Sequence, residues 1–295
     1  MDQINSNPAI KHGWLRAILI IIPFFIVSGI FQAIGLILYG AITGTLDLQN
    51  LQNVNMSTGF RLTTQFTGML GTLLIVWIFA RFIDKRKFVD LGFSLKNRGK
   101  DIFYGLIAGI VMMGLGTIIL QVNGNLTIDS IHFAATSLLQ SVFLFIIVSV
   151  NEEVLVRGYI LPNFMDSMNR YLALVLSSLI FTALHLFNPN VSFLGITNIF
   201  LAGILLGIGY IFTKNLWFPL ALHFSWNFFQ GPIFGFEVSG TDTDTLISQS
   251  ITGNELLTGG KFGFEGSLLA SLLCTAAIIL FWYVYKKQDF RLQNA

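Results

Sequence analysis

The stretch Phe143-Leu-Phe-Ile-Ile-Val-Ser-Val150-Asn-Glu152-Glu153-Val-Leu-Val-Arg157 runs from an apolar helix face straight into two acids and a base. Adjacent carboxylates are expensive at membrane depth, so ionisable groups in such a place mark a functional site with a named partner. A helix sets neighbours about 100° apart, which turns Glu152 and Glu153 toward different faces. Glu153 and Arg157 stand at i and i+4 with the acid first, the favourable order for an ion pair. Glu152 lacks that partner. Glu153 is thus the structural candidate and Glu152 the candidate general base. The plain alternative for Glu152 is a solvated acid at a helix end.

The rest of the chain is built the same way. Of 295 residues, 54% are hydrophobic and 11% charged, where a soluble domain carries about 25% charged residues. The composition therefore specifies an all-α, polytopic membrane helix bundle, read as a single integral membrane domain over 1–295. A net charge of +2 is too small to suggest nucleic acid. Cys274, the only cysteine, has no internal partner and reads as a small core residue.

A spanning helix needs roughly 20 mostly apolar residues. Eight segments meet or approach this, at about 15–41, 63–80, 103–121, 133–156, 171–187, 192–213, 216–236 and 266–285. The fifth is short. With eight spans both termini share one side, and fifteen Lys and Arg fall there against Arg61 and Lys261 on the other. That asymmetry predicts cytoplasmic termini in a plasma membrane, and the short loops suggest a bacterial one. The segment Arg81–Lys100 holds seven basic residues among apolar ones. It reads as an ordinary basic loop or as an amphipathic surface helix for anionic lipid. The outer loop at about 237–265 is acidic and rich in Gly, Thr and Ser, and is expected to be mobile. No internal repeat is evident, which argues against the repeat-built transporters.

Two further spans carry strong polar groups. Phe181-Thr-Ala-Leu-His185 places a histidine in the fifth, and His223-Phe-Ser-Trp-Asn227 sets a histidine and an amide on one face of the seventh. Alone, His185 reads more readily as an interhelical hydrogen-bonding group than as a catalyst, and the His223–Asn227 pair reads equally as a polar tie between helices. His223 and Asn227 can both donate toward one point, as an oxyanion requires, and His223 would also serve as a metal ligand. Together, a carboxylate and a histidine can activate water while a second histidine and an amide bind the tetrahedral oxygen. At 1.5 Å per residue Glu152 lies roughly 20 Å from Met165, His185 roughly 22 Å from Arg170, and His223 roughly 12 Å from Asn215. The three meet only if the seventh helix is displaced or tilted.

At these residues the chain resembles the CPBP family of intramembrane proteases, which includes the CAAX prenyl endopeptidases and bacterial abortive-infection-like proteins. The family pattern EExxxR, FxxxH, HxxxN reads here as Glu152-Glu153-Val-Leu-Val-Arg157, Phe181-Thr-Ala-Leu-His185 and His223-Phe-Ser-Trp-Asn227, in that order. The family-like core covers about 85–285. The resemblance implies that Glu152 and His185 activate water, that His223 and Asn227 form the oxyanion hole, and that Glu153 and Arg157 support the site. Members are described both as zinc metalloproteases and as metal-free glutamate proteases. Glu152, His185 and His223 are the candidate ligands, although no HExxH pair shares a helix. The implied substrate is a membrane-associated or lipidated protein or peptide, met in a cavity facing the cytoplasmic side. Two other functions compete: a non-catalytic bacteriocin-immunity or scaffold protein of the same fold, and a proton-coupled transporter.

Overall fold

In the computed structural model, which describes residues 8–45 and 57–293, the apolar segments form a helix bundle. The chain enters through α1 (Gly13–Leu19) and α2 (Ile21–Thr43), continues through α3 (Thr58–Ile78), α4 (Gly99–Val122) and α5 (Ala135–Glu153), then the short α6 (Leu161–Met165) and α7 (Arg170–Leu184). After these come α8 (Phe193–Thr213), α9 (Trp217–Phe228), the short α10 (Glu255–Thr258) and α11 (Leu268–Gln293). Among the described residues, six helical stretches are long and apolar enough to cross a membrane: 13–43, 58–83, 99–122, 135–165, 193–213 and 268–290. The fifth and seventh expected spans are α7 and α9, both shorter. Lipid-like surroundings explain the outward aliphatic side chains such as Ile22, Ile42 and Leu272.

Among the described residues, three π-helical segments interrupt the ladders: Phe79–Ile83 after α3, Val154–Ile160 after α5 and Phe229–Ile233 after α9. Two of them coincide with proline. Pro162 follows the second and Pro232 lies inside the third. Proline has no N–H for the carbonyl four residues back, so the local ladder cannot close as an α-helix. The second segment makes the fourth span longer than the sequence suggests, a continuous helical rod from Ala135 to Met165.

The two ends of the bundle differ. At the basic end Arg16 pairs with Asp84 at 2.9 Å and with Asp166 at 2.9 Å, and Arg170 pairs with Asp289 at 2.9 Å, so α1 and the end of α11 lie together there. The segment read as a possible surface helix forms only a 3-10 turn, Phe88–Leu91, with Leu91 buried. It folds over the α8–α9 turn. The Leu216 N–H donates to the Gly92 carbonyl at 2.9 Å and Asn215 Nδ2 to the Ser94 carbonyl at 2.7 Å. That cover buries Asn215 and Leu216 at the start of α9.

At the opposite end, β1 (Leu126–Ile131) pairs antiparallel with β2 (Ile247–Ile251). The segment 237–265, expected to be mobile, is instead folded. It holds β2, α10 and 3-10 turns, and Phe236, Val238, Phe262 and Phe264 around it are buried. Its aromatic residues, spaced among glycines, supply the anchoring that its polar composition conceals.

Candidate active site

α5 ends on the two acids, and the structure separates them. Glu153 is fully buried, whereas the Glu152 side chain keeps 26% of its surface exposed. Arg157, one turn on, donates to Glu153 Oε1 at 2.8 Å, as the spacing requires, and to the Gly203 carbonyl of α8 at 3.0 Å. Its guanidinium also sits over the Phe181 ring, 4.3 Å from the centroid. One cation thereby joins α5, α7 and α8.

Both histidines converge on this point. His185 caps the end of α7, and its Nδ1 donates to the Phe181 carbonyl at 2.8 Å. Its Nε2 stands 3.5 Å from Glu152 Oε2. His223 of α9 donates from Nδ1 to Glu153 Oε1 at 2.8 Å, and its Nε2 stands 3.9 Å from Glu152 Oε2. The two acids do leave the helix in different directions, yet both meet the His223 ring, one at each nitrogen. Glu152 is therefore not the uncompensated acid that its spacing alone suggests. Its Oε2 is buried against two imidazoles, and the exposure of the side chain lies on its other atoms.

Asn227 is buried one turn after His223 and lines the same cavity. That cavity, about 520 Å³, is walled by Glu152, His185, His223 and Asn227 together with residues of α2, α3, α8 and the 237–265 segment. Its lining reaches exposed Phe25 on α2 and exposed Thr241. None of the basic-end connections, 79–98, 166–169 and 214–216, contributes to it. The cavity expected on the basic side thus opens at the other end. The covered α8–α9 turn closes the basic face.

Two other histidines stay apart. His132 lies at the sheet end, bonded to Ser130 Oγ at 2.9 Å, and His12 precedes α1. Among the described residues, no group of three or more His, Cys, Asp and Glu side chains is placed to hold a metal ion. Glu152, His185 and His223 meet, but as an acid flanked by two rings.

One lining residue escaped the motif reading. Glu265 sits in a 3-10 turn just ahead of α11 and faces the cavity. Burial pushes its carboxyl above the usual range, against hydrogen bonds from Ser239 and Trp226 that pull it down. The only sequence signal was its place, a lone acid in Phe262-Gly-Phe-Glu265-Gly266 immediately before an apolar run.

Residues 134–229 match the family model described as Type II CAAX prenyl endopeptidase Rce1-like. The match takes in all three motifs, so this segment is similar to the CAAX-type endopeptidases that the motifs resemble. It covers about a third of the 295 residues. No curated protein and no solved structure matches the chain.

Proposed function

We propose that the protein is an intramembrane endopeptidase that hydrolyses a peptide bond in a membrane-associated or lipidated protein or peptide. The observation that carries this reading is the convergence of three separate helices on Glu152 Oε2, with His185 Nε2 at 3.5 Å and His223 Nε2 at 3.9 Å on the wall of one cavity.

Each residue then has a task. His185 spends its Nδ1 proton on the Phe181 carbonyl, so a neutral ring presents a bare Nε2 to a carboxylate oxygen. A proton shared between them satisfies both atoms. The cavity side of Glu152 takes a proton from water, and the resulting hydroxide attacks the scissile carbonyl carbon. The carbonyl oxygen gains the charge and is met by donors from His223 Nε2 and Asn227 Nδ2. Collapse of the tetrahedral adduct breaks the C–N bond, and the Glu152–His185 pair returns a proton to the leaving amine. Glu153 and Arg157 hold the His223 ring by its other nitrogen. No step calls on a metal.

The test compares peptide termini in membranes from cells expressing the wild type and Glu152→Ala at matched levels. New termini present only with the wild type are expected, and they identify the substrate. Identical termini, with the cellular phenotype kept by the mutant, would favour the immunity or scaffold role instead.

A further inference from the structure

Glu265 is the one carboxylate on the cavity wall that the proposed hydrolytic steps leave unused, and three elements hold it in place. Asn198 of α8 donates from Nδ2 to the Glu265 carbonyl at 2.7 Å and to the Ser267 carbonyl at 2.8 Å, which fixes the backbone on both sides of Gly266. Trp226 of α9 donates from Nε1 to Oε1 at 3.0 Å. Ser239 donates to Oε2 twice, from its N–H at 3.0 Å and its hydroxyl at 2.7 Å. The turn is tight: Gly263 has φ +89°, and a Cβ there would lie 2.0 Å from the Glu237 carbonyl oxygen. The backbone that carries the carboxylate is thus fixed on both sides.

Its hydrogen-bond donors are all neutral, and the only ionisable groups of basic character that act on it are the imidazoles of His185 and His223, both already engaged with Glu152 and Glu153. Among the described residues, no lysine or arginine lies within ion-pair distance of it. The guanidinium of the motif set, Arg157, is committed to Glu153 and Gly203. Arg61, at the cavity rim, is bonded to the Asp242 carbonyl. An anion removed from water is costly unless a cation meets it. Oε2 has two donors and Oε1 only one, so Oε1 keeps acceptor capacity on a side chain that lines the cavity. Trp226 lies one residue before Asn227 and three after His223, so this oxygen stands beside the turn that carries the proposed oxyanion donors.

We propose that Glu265 is a specificity residue, and that it receives a protonated amine or a guanidinium of the substrate beside the scissile bond. The proposal rests on the protease reading of the same cavity and narrows its substrate class. The cation comes from a lysine or arginine side chain, or from a free α-amino group if the enzyme trims near an N-terminus. Asn188, Thr241 and Thr243 also line the cavity and supply oxygens for the remaining N–H groups of such a cation.

The experiment uses the full chain in proteoliposomes and a mixture of random-sequence apolar peptides, half with acetylated and half with free N-termini. Wild-type products should be enriched in Lys or Arg within about three residues of the cut, or confined to free N-termini, which separates the two sources of the cation. For one cleaved peptide, replacing its basic residue by norleucine should lower kcat/KM on the order of tenfold or more. Glu265→Gln should abolish that difference, and Glu265→Asp should retain part of it. Cleavage that depends on Glu152 but shows no preference for a cation would overturn the subsite and leave the protease reading standing. A preference that survives in Glu265→Gln would do the same. The wild-type norleucine comparison decides the matter even where a variant does not fold. No cleavage, or cleavage retained by Glu152→Ala, would remove both readings.

Discussion

Glu152 and Glu153 are identical in type and adjacent in sequence, and their surroundings give them opposite work. Glu153 Oε1 takes hydrogen bonds from Arg157 and His223, both at 2.8 Å, with no exposure at all. Removing one partner of a buried ion pair leaves the other charge uncompensated, at a cost of about 3–5 kcal/mol. Glu153→Ala should therefore lower the thermal unfolding midpoint in detergent markedly, and a variant that unfolds like the wild type but cleaves slowly would contradict that role. His223 carries a second consequence. Its Nδ1 proton is spent on Glu153, so Nε2 donates to an oxyanion only when the ring holds two protons. His223→Ala and Asn227→Ala should each reduce turnover by roughly 10²-fold or more, the usual effect of losing one oxyanion donor. Near-normal kinetics in both would rule the oxyanion site out. These residues were legible because each motif is an i, i+4 pair on one helix. Glu265 was not, because what brings it to the cavity is a bond to Trp226, 39 positions away in sequence.

Among the helices, α4 and α9 set how closely His223 can be held. Gly105 and Gly109 lie one turn apart on α4, and α9 packs directly on them. A Cβ at Gly105 would lie 2.7 Å from the Leu222 backbone nitrogen, and one at Gly109 would lie 2.6 Å from that of Trp226. Small residues at this spacing let two helix backbones approach where lipid offers no hydrophobic drive to associate. Here the contact lies behind the His223–Asn227 turn. Gly109→Val should push α9 away, costing about 1–3 kcal/mol through overpacking and misplacing both proposed donors. Gly114→Ala on the same helix meets nothing within 4 Å and serves as the control. Equal cleavage rates for wild type, control and Gly109→Val would show that α9 position does not govern the site. Helix existence was plain from the apolar runs, and α7 and α9 were foreseen in place if not in length. Depth was harder to read. The covered α8–α9 turn depends on hydrogen bonds to Gly92 and Ser94, residues more than a hundred positions earlier, and no local pattern encodes them. The β1–β2 pairing is equally non-local, joining strands more than a hundred residues apart.

At the scale of the whole molecule, the charged end and the cavity end are opposite, and under the proposed protease reading this bears on which side of the membrane a substrate would come from. Arg81, Lys85, Lys87, Lys96 and Lys100 are exposed at one end, while the cavity lining reaches Thr241 at the other. With the basic end in the cytoplasm, as the positive-inside bias predicts, the proposed substrate would reach the cavity from the extracytoplasmic side or from the bilayer along α2, where Phe25 is 56% exposed. Single-cysteine labelling checks this directly, because Cys274 is only 1% exposed and stays silent toward a bulky reagent. In right-side-out vesicles, Thr241→Cys should react with a membrane-impermeant maleimide, while Lys96→Cys should react only after the vesicles are opened. Adding a cleaved peptide to the outside of sealed vesicles should then give product without permeabilisation. The reverse labelling pattern would place the cavity mouth in the cytoplasm. The same substrate chemistry would then have to arrive from inside the cell, against the charge distribution of the loops.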